Sequence, residues 1–318
     1  MNTQQKVLIV TYYWPPSGGS GVQRWMYFAK HLKQLGWEPF IVTVAEEKAS
    51  YAVLDTSLNQ EVDDIAVIKT HTREPLQWYS ILTSGSRNKG IPQGEVNRSS
   101  VLGKIAAYIR GNFFIPDARK GWVPFALEAS RKIITQEKIT HVITTGPPHS
   151  THLVGLQLQQ EFELNWLVDF RDPWSDLFYN KELYRSKNSI KKDLVLESKV
   201  LQAANGVLTT IGGKLHEDLK VKAATQNFYA LPNGYDVALM QSVQAKPPED
   251  VFHVVYTGLL THNQPYNAVL SVLNSMATKV PIRLSLAGTI SAAIRLEIQT
   301  AYPQIELVHH GYLAHQDA

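Results

Sequence analysis

Short apolar runs that alternate with amphipathic helical segments constrain the fold of this chain more than any other feature. In the first two thirds of the chain, runs rich in Val, Ile and Leu cover residues 7–11, 39–44, 66–70, 141–145, 166–169 and 206–211. Helical periodicity fills the segments 23–35, 123–135, 151–162, 190–204 and 214–222. Continuous apolar runs of this length are typical of strands buried on both faces of a parallel sheet. The alternation therefore predicts a doubly wound α/β sheet, whose ligands bind at the carboxyl ends of the strands.

A second, shorter series of strands and helices follows the segment 232–236, which reads Pro-Asn-Gly-Tyr-Asp. The pattern predicts strands at 252–257, 282–287 and 305–309, and helices at 266–278 and 290–301. We therefore expect two Rossmann-like parallel-sheet domains, at residues 1–236 and 237–318. The second series amounts to half of a doubly wound domain and would leave an open sheet edge. We accordingly expect the second domain to be incomplete and the chain to be C-terminally truncated.

The composition is that of a globular protein with a sizeable core, and it excludes several kinds of site. Hydrophobic residues make up 44% and charged residues 19% of the 318 positions. The net charge of +3 is too small to predict nucleic-acid binding. Because there is no cysteine, disulfides and thiolate metal sites are excluded. No signal-like leader precedes the first strand, and no apolar stretch nears the ~20 residues of a membrane span. We expect a cytoplasmic protein.

The segment 101–114 predicts an amphipathic helix, for which two interpretations remain open. The helix either packs on its own domain or contacts the inner face of a membrane peripherally. The second interpretation depends on nearby basic residues, which are Arg98, Lys104, Arg110, Arg119 and Lys120.

A glycine-rich loop connects the first predicted strand to a helix that begins near Val22. It contains Gly18, Gly19, Ser20 and Gly21. Backbone N–H groups at a helix N-terminus, with few side chains in the way, suit an anion such as a diphosphate. The alternative is a turn that only requires positive φ. The loop differs from the dinucleotide-binding fingerprint, because an arginine occupies the position of the third glycine.

Polar residues follow the fourth and fifth predicted strands at the same edge of the sheet. His149 is a candidate for proton transfer or for donating to a sugar or phosphate. Arg171 is a candidate bidentate phosphate ligand, and Asp172 can accept a proton or hydrogen bond from a hydroxyl. The alternatives are a solvated histidine and a structural ion pair beside a packed Trp174.

The segment 115–122, which contains Asp117 and Trp122, is expected to form a wall of the site. Trp122 and Trp14 are candidates for stacking on a sugar or lipid. Aromatic residues of the core would give the same pattern, so both interpretations remain open.

With these residues identified, the chain resembles a GT-B glycosyltransferase of the retaining, family-four-like (group 1) type, whose members act on nucleotide sugars. The resemblance rests on the loop at 12–24 (Tyr-Tyr-Trp-Pro-Pro-Ser-Gly-Gly-Ser-Gly-Val-Gln-Arg), on 169–174, on 232–236 and on 256–259. It implies an acceptor-binding first domain, a nucleotide-sugar-binding second domain and a site in the cleft between them. It also implies transfer to a glycan or lipid-linked acceptor with retention of configuration, in surface polysaccharide synthesis, without a metal or other cofactor.

The residue patterns and the resemblance together indicate which residues serve the reaction. The expected catalytic residues are Arg171, Asp172 and His149. The expected substrate-binding residues are Gly18, Gly19, Ser20, Gly21, Trp14, Trp122, Asp117, Trp174, Asn233 and Gly258. Arg171 occupies the position where members of the family often carry a histidine, which places the usual contact to the sugar in question.

Two rival functions remain open at this point. An epimerase of free nucleotide sugars can share the architecture, and a non-catalytic glycan-binding fragment would need no donor. If the chain is truncated, we expect it to have low activity alone.

Overall fold

The computed structural model describes residues 4–51, 53–73, 101–177, 180, 182–242, 250–262, 264–313 and 317 of the chain. Two compact units make up the chain, Met1–Gly234 and Tyr235–Ala318. The sequence pattern places the boundary slightly later, after residue 236. Arg98 lies outside the described residues.

The first unit alternates strands and helices. Its described strands are β1 (Lys6–Val10), β2 (Glu38–Val44), β3 (Ala66–Thr70), β4 (His141–Gly146), β5 (Asn165–Phe170), β6 (Gly206–Thr209) and β7 (Phe228–Ala230). Its described helices are α1 (Ser20–Gln34), α2 (Val101–Phe113), α3 (Val123–Glu137), α4 (Thr151–Glu161), α5 (Lys187–Ala203) and α6 (Lys214–Lys222). Short 3-10 helices cover Thr56–Glu61 and Lys120–Trp122.

The seven strands form one parallel sheet in the order β3-β2-β1-β4-β5-β6-β7. The first three strands are added towards one edge and the last four towards the other. Val7 of β1 consequently pairs with Pro39 of β2 on one side and with His141 of β4 on the other. Loops that leave neighbouring strands in opposite directions open a crevice at the carboxyl edge, where α/β proteins bind ligands. The topology directs attention to the loops after β1 and β4.

Both faces of the sheet are buried, which explains the uninterrupted apolar runs. Val7 and Ile9 of β1 lie in one core cluster with Trp25 of α1. Leu8 and Val10, which point to the opposite face, lie in the other cluster. Since each strand contributes to two cores, polar positions are rare within it.

The second unit has its own parallel sheet, in the order β10-β9-β8. Its described strands are β8 (Phe252–Thr257), β9 (Ile282–Ala287) and β10 (Ile305–Gly311), and its described helices are α7 (Val237–Ser242), α8 (Tyr266–Met276) and α9 (Ala292–Ala301). Leucine and isoleucine side chains from β9, α8 and α9 form its core.

The predicted α/β class with two parallel, Rossmann-like sheets is confirmed. The sequence pattern missed β7 and α7. Phe228–Ala230 is a three-residue strand with little burial, and Val237–Ser242 is a single short helix, so neither produces a readable period. No helix in the described part of the chain has both the length and the apolar character to cross a membrane.

Candidate functional site

The loops after β1 and β5 meet at the carboxyl edge of the first sheet. Gly19, just before α1, has a φ of 89°, a conformation that only glycine adopts readily. Ser20 begins the helix. Arg171, the residue after β5, reaches across so that its guanidinium lies 3.2 Å from where a Cβ on Gly21 would be. The backbone turn at Gly19 therefore sets the glycine loop directly beside a cationic side chain.

The first turn of α1 carries no negative charge of its own. Gly19, the residue before the helix, has no side chain that could cap it, and the first turn contains no acidic residue. The Gly18 N–H donates to Val53 O, which fixes the loop, and the Val22 N–H donates to Gly19 O. Because the partial positive charge of a helix start is not neutralised here, the glycine loop favours negative charge.

Arg171 holds three loops together through backbone carbonyl oxygens. Its Nε donates to Gly146 O at 3.2 Å, and its two terminal nitrogens donate to Gly21 O and Pro147 O, both at 2.5 Å. Burial lowers the pKa of Arg171, while the carboxylates nearby raise it. A guanidinium remains protonated at neutral pH. These bonds use three of its five N–H groups, and no described residue accepts from the other two.

Asp172 is an exposed carboxylate beside this guanidinium. Partial removal from water raises its pKa, and the charge of Arg171 acts in the opposite direction. In the part of the chain that the structure describes, no group donates a hydrogen bond to its carboxylate. The predicted role of Asp172, to accept a proton or hydrogen bond from a hydroxyl, is compatible with this position and stays a prediction.

Asp169, a buried carboxylate in β5, was not among the predicted site residues. Its carboxylate lies 2.8 Å from a terminal nitrogen of Arg24, and both side chains are almost completely buried. It also accepts hydrogen bonds from Trp25 Nε1 at 2.6 Å and from Thr145 Oγ1 at 2.8 Å. A charged residue inside an apolar run is the sequence signal that could have identified it, because such a charge requires a buried partner.

His149 is buried rather than presented to a ligand. Its ring stacks on Trp174, with the centroids 5.2 Å apart and the planes 9° apart. Nε2 lies 3.0 Å from Pro173 O and must donate, since a carbonyl oxygen only accepts. Burial lowers the pKa of His149 to about 3, so the imidazole is neutral at neutral pH. This environment opposes the predicted role in proton transfer.

The second ring nitrogen of His149 has an equally enclosed position. Nδ1 is buried and has no hydrogen-bond partner among the described residues, and the same is true of Nε2 of His152. A Cβ on Gly146 would lie 2.8 Å from the first nitrogen and 2.6 Å from the second. Because Gly146 has no side chain, there is room beside it for both imidazole rings.

Replacing His149 with phenylalanine is expected to reduce the loss of stability in acid. In the unfolded chain His149 takes up a proton below its ordinary pKa of 6.5, whereas the folded protein resists protonation down to about pH 3. The histidine therefore costs stability progressively as the pH falls from 6.5 to 3, and it has no such effect above 6.5. Urea unfolding across this range should show a slope that is shallower by about 1.4 kcal/mol per pH unit in the variant. An unchanged slope would contradict the buried, neutral imidazole.

Trp14 and Trp122, the two tryptophans proposed to stack on a ligand, are buried, and so is Trp174, which was expected to bind substrate; this favours the alternative of aromatic core residues. Trp14 packs under α1 with 2% exposure. Trp122 is fully buried and donates from Nε1 to Thr70 Oγ1 at 2.7 Å. Trp174 is 1% exposed and donates from Nε1 to Asp193 Oδ1 at 2.7 Å. Each indole already has its partners within the protein, so none presents a free face to a sugar.

Asp117 and Asn233 each form hydrogen bonds with other groups of the protein. Asp117 accepts from the backbone N–H and the hydroxyl of Ser150, at 2.8 and 2.9 Å, and so caps the start of α4. Burial raises the pKa of Asp117, and these hydrogen bonds oppose that shift. Asn233 Oδ1 accepts from Arg24 at 2.9 Å. Both residues serve the packing of loops around the edge of the sheet.

Gly258 belongs to the second unit and directly follows β8, with a φ of 135°. Its N–H donates to Ala287 O, and a Cβ on the neighbouring Gly288 would lie only 2.0 Å from Gly258 O. The two glycines let the chain segments after β8 and β9 approach closely. Among the described residues, no group of three or more His, Asp or Glu side chains is arranged to hold a metal ion.

Comparison with known proteins identifies the fold. No family model and no curated protein matches the sequence. Among solved structures, TarM matches with a TM-score of 0.56 and 11% identity over 99% of this chain and 78% of its own. HepE from Anabaena, solved with UDP and glucose, gives 0.51 and 11% over 98% and 70%. The lipopolysaccharide outer core galactosyltransferase WaaB gives 0.50 and 10% over 98% and 68%. These likenesses confirm the predicted GT-B fold.

Proposed function

We propose that the protein is a glycosyltransferase that moves a sugar from a nucleotide-diphosphate sugar to a glycan or lipid-linked acceptor. The GT-B fold supports a transferase at this general level, and fold neighbours include a protein solved with UDP and glucose. Retention of configuration, a metal-independent reaction, a cytoplasmic setting and a role in surface polysaccharide synthesis are parts of the proposal that depend on the sequence resemblance.

The proposal depends on one observation, which is the positively charged region where the glycine loop meets the guanidinium of Arg171. The open first turn of α1 and the two unused N–H groups of Arg171 lie within one small region beside Gly21. A departing nucleoside diphosphate carries negative charge, which backbone N–H groups and a guanidinium stabilise when they are already in place. The region therefore suits the leaving group of a nucleotide sugar better than it suits a neutral ligand.

Asp172 complements this region on the acceptor side. Glycosyl transfer breaks the bond between the anomeric carbon and the diphosphate oxygen and forms a bond from that carbon to the acceptor oxygen, while the proton of the acceptor hydroxyl passes to the departing diphosphate. A carboxylate with a raised pKa and no partner among the described residues can hold that hydroxyl against the anomeric carbon, on the face from which the diphosphate departs. We assign Asp172 this positioning role, and we assign Arg171 to the diphosphate.

Gly21→Val tests the proposal, because its side chain would enter the space against Arg171. We expect the chain to bind a nucleoside diphosphate and its sugar conjugate in calorimetric titrations with UDP, GDP, ADP and their glucose forms. The variant should bind at least about tenfold more weakly. Gly212→Val is the matched control, since nothing lies within 4 Å of a Cβ there, and it should bind like the unaltered protein.

The outcomes separate transfer from the rival functions. A new acceptor glycoside, detected by mass spectrometry, together with release of the nucleoside diphosphate supports the transferase. Isomerisation of a free nucleotide sugar without any acceptor would overturn it in favour of an epimerase. Glycan binding with no response to any nucleotide would overturn it in favour of a binding protein.

A further inference from the structure

Three tyrosines from the loops after β1 and β2 pack together, and they are Tyr12, Tyr13 and Tyr51. The rings of Tyr12 and Tyr13 meet edge to face with their centroids 5.1 Å apart, and the ring of Tyr51 lies 6.0 Å from each. Two of the three hydroxyls already bond within the protein. The Tyr51 hydroxyl donates to Tyr12 O at 3.1 Å, and the Tyr12 hydroxyl accepts from the Ser50 N–H at 3.4 Å.

The hydroxyl of Tyr13 differs from the other two, because no described residue donates to it or accepts from it. Tyr13 is half-buried, and its hydroxyl oxygen is open to solvent rather than enclosed. The rest of the residue is held in place. Its ring packs against both core clusters of the first unit, and its backbone O accepts from Thr11 Oγ1 at 3.0 Å. Tyr13 therefore presents a fixed hydroxyl that the protein itself does not use.

Tyr13 lies beside the glycine loop, on the same glycine that Arg171 approaches. A Cβ on Gly21 would lie 3.9 Å from Cδ2 of Tyr13 and 3.2 Å from a terminal nitrogen of Arg171. Tyr13 is also near enough for its ionised form to raise the pKa of Arg171. The phenol and the guanidinium thus flank one glycine, next to the first turn of α1, which contains no acidic residue.

We propose that Tyr13 is a further binding residue of this site, and that its hydroxyl donates a hydrogen bond to a diphosphate oxygen of the nucleotide sugar. The inference rests on the proposed function, which places the diphosphate beside Gly21 and Arg171. A phenol donates through its O–H, and such bonds are shorter and stronger when the acceptor oxygen is charged. Since packing already holds the ring of Tyr13, little side-chain freedom is lost when the ligand binds.

The ring contacts favour this role over stacking of Tyr13 on a sugar. The rings of Tyr12 and Tyr51 already pack against the ring of Tyr13, so the hydroxyl is the group that Tyr13 offers to a ligand. The positive charge of Arg171 and the start of α1 favours the anionic part of the ligand at this position. A diphosphate oxygen is therefore the acceptor that fits the surroundings of the hydroxyl.

Tyr13→Phe tests the inference, because it removes the hydroxyl and keeps the ring. The full chain is titrated calorimetrically with whichever of UDP, GDP and ADP the unaltered protein binds best, and with the glucose conjugate of that nucleotide. We expect the variant to bind both ligands about tenfold more weakly, since a hydrogen bond to a charged acceptor is lost from each. The thermal melting temperature should not change, because the hydroxyl has no partner among the described residues.

Tyr229→Phe is the matched control. Tyr229 is 52% exposed in β7, an edge strand that three other strands separate from β1. No described residue forms a hydrogen bond with its hydroxyl. This variant loses the same group as Tyr13→Phe at a distant place on the same sheet, and it should bind both ligands like the unaltered protein. An equal loss of affinity in the two variants would overturn the role of Tyr13.

The remaining outcomes separate this inference from the proposed function. Unchanged affinity of Tyr13→Phe for both ligands, together with weaker binding by Gly21→Val, would overturn the role of Tyr13 and leave the proposed function standing. A loss of affinity for the glucose conjugate alone would overturn the phosphate contact in favour of a contact with the sugar. If the unaltered protein binds none of these nucleotides, the proposed function fails and the role of Tyr13 fails with it.

Discussion

Replacing Asp169 with alanine is expected to lower the free energy of unfolding by about 3–5 kcal/mol. The side chains of Asp169 and Arg24 are 0% and 1% exposed, so water cannot solvate the arginine that is left behind. Trp25 and Thr145 also lose their acceptor. Urea unfolding followed by circular dichroism measures the change in unfolding free energy. The dependence of that free energy on urea concentration is compared between the two proteins.

An exposed ion pair provides the control for this loss. Arg131 and Glu161 form a pair of 2.5 Å at the surface, where water replaces a missing partner. Glu161→Ala should therefore change stability little. Arg24→Met combined with Asp169→Leu leaves no charge in the core and should recover part of the loss. If Asp169→Ala and Glu161→Ala lower the free energy of unfolding by similar amounts, the buried pair contributes no more to stability than the exposed pair.

Replacing Arg171 with alanine is expected to weaken nucleoside diphosphate binding by about 10- to 100-fold, since charged hydrogen bonds are among the strongest. Stability should fall as well, by about 1–3 kcal/mol, because three backbone carbonyl oxygens lose their donor. From the sequence, Arg171 was interpreted as a phosphate ligand, with a structural ion pair as the alternative. Its contacts with Gly21, Gly146 and Pro147 make it a structural residue at the same time. Calorimetry and thermal melting measure the two effects separately.

Arg171→Lys separates the charge from the geometry. Lysine keeps the positive charge, but a single ammonium group cannot donate to three carbonyl oxygens in the arrangement that a planar guanidinium reaches. We expect this variant to regain much of the nucleotide affinity while its stability remains near that of Arg171→Ala. Unchanged affinity in the alanine variant would leave the guanidinium with a purely structural role.

The positions of most strands could be predicted because burial on both faces imposes an apolar run. In β4 (His141–Gly146) and β5 (Asn165–Phe170), the observed strand extends beyond the predicted one by at most one residue at either end. The carboxyl edge could also be identified as the ligand edge, since that follows from the topology of parallel sheets. Phe228–Ala230 could not be predicted, because a short and partly exposed strand leaves no apolar run.

The partners of the site residues could not be read from the sequence. Arg171 donates to Gly21 O across 150 positions, and Arg24 meets Asp169 across 145. Such contacts depend on the order of strands in the sheet, which periodicity does not encode. The sequence also did not reveal that Trp122 and His149 are buried. An aromatic residue in a loop can face a ligand or the core with the same neighbours in sequence.

Arg24 connects two parts of the first unit that are far apart along the chain. Arg24 lies in the second turn of α1 and pairs with Asp169. Its Nη1 also donates to Leu231 O at 2.8 Å and to Asn233 Oδ1 at 2.9 Å. Leu231 and Asn233 are among the last residues of the first unit, which ends at Gly234. A displacement of α1 along the sheet must therefore stretch these bonds or carry the exit of the first unit with it. Through this one guanidinium, the helix that opens at the glycine loop and the segment leading out of the unit are mechanically linked.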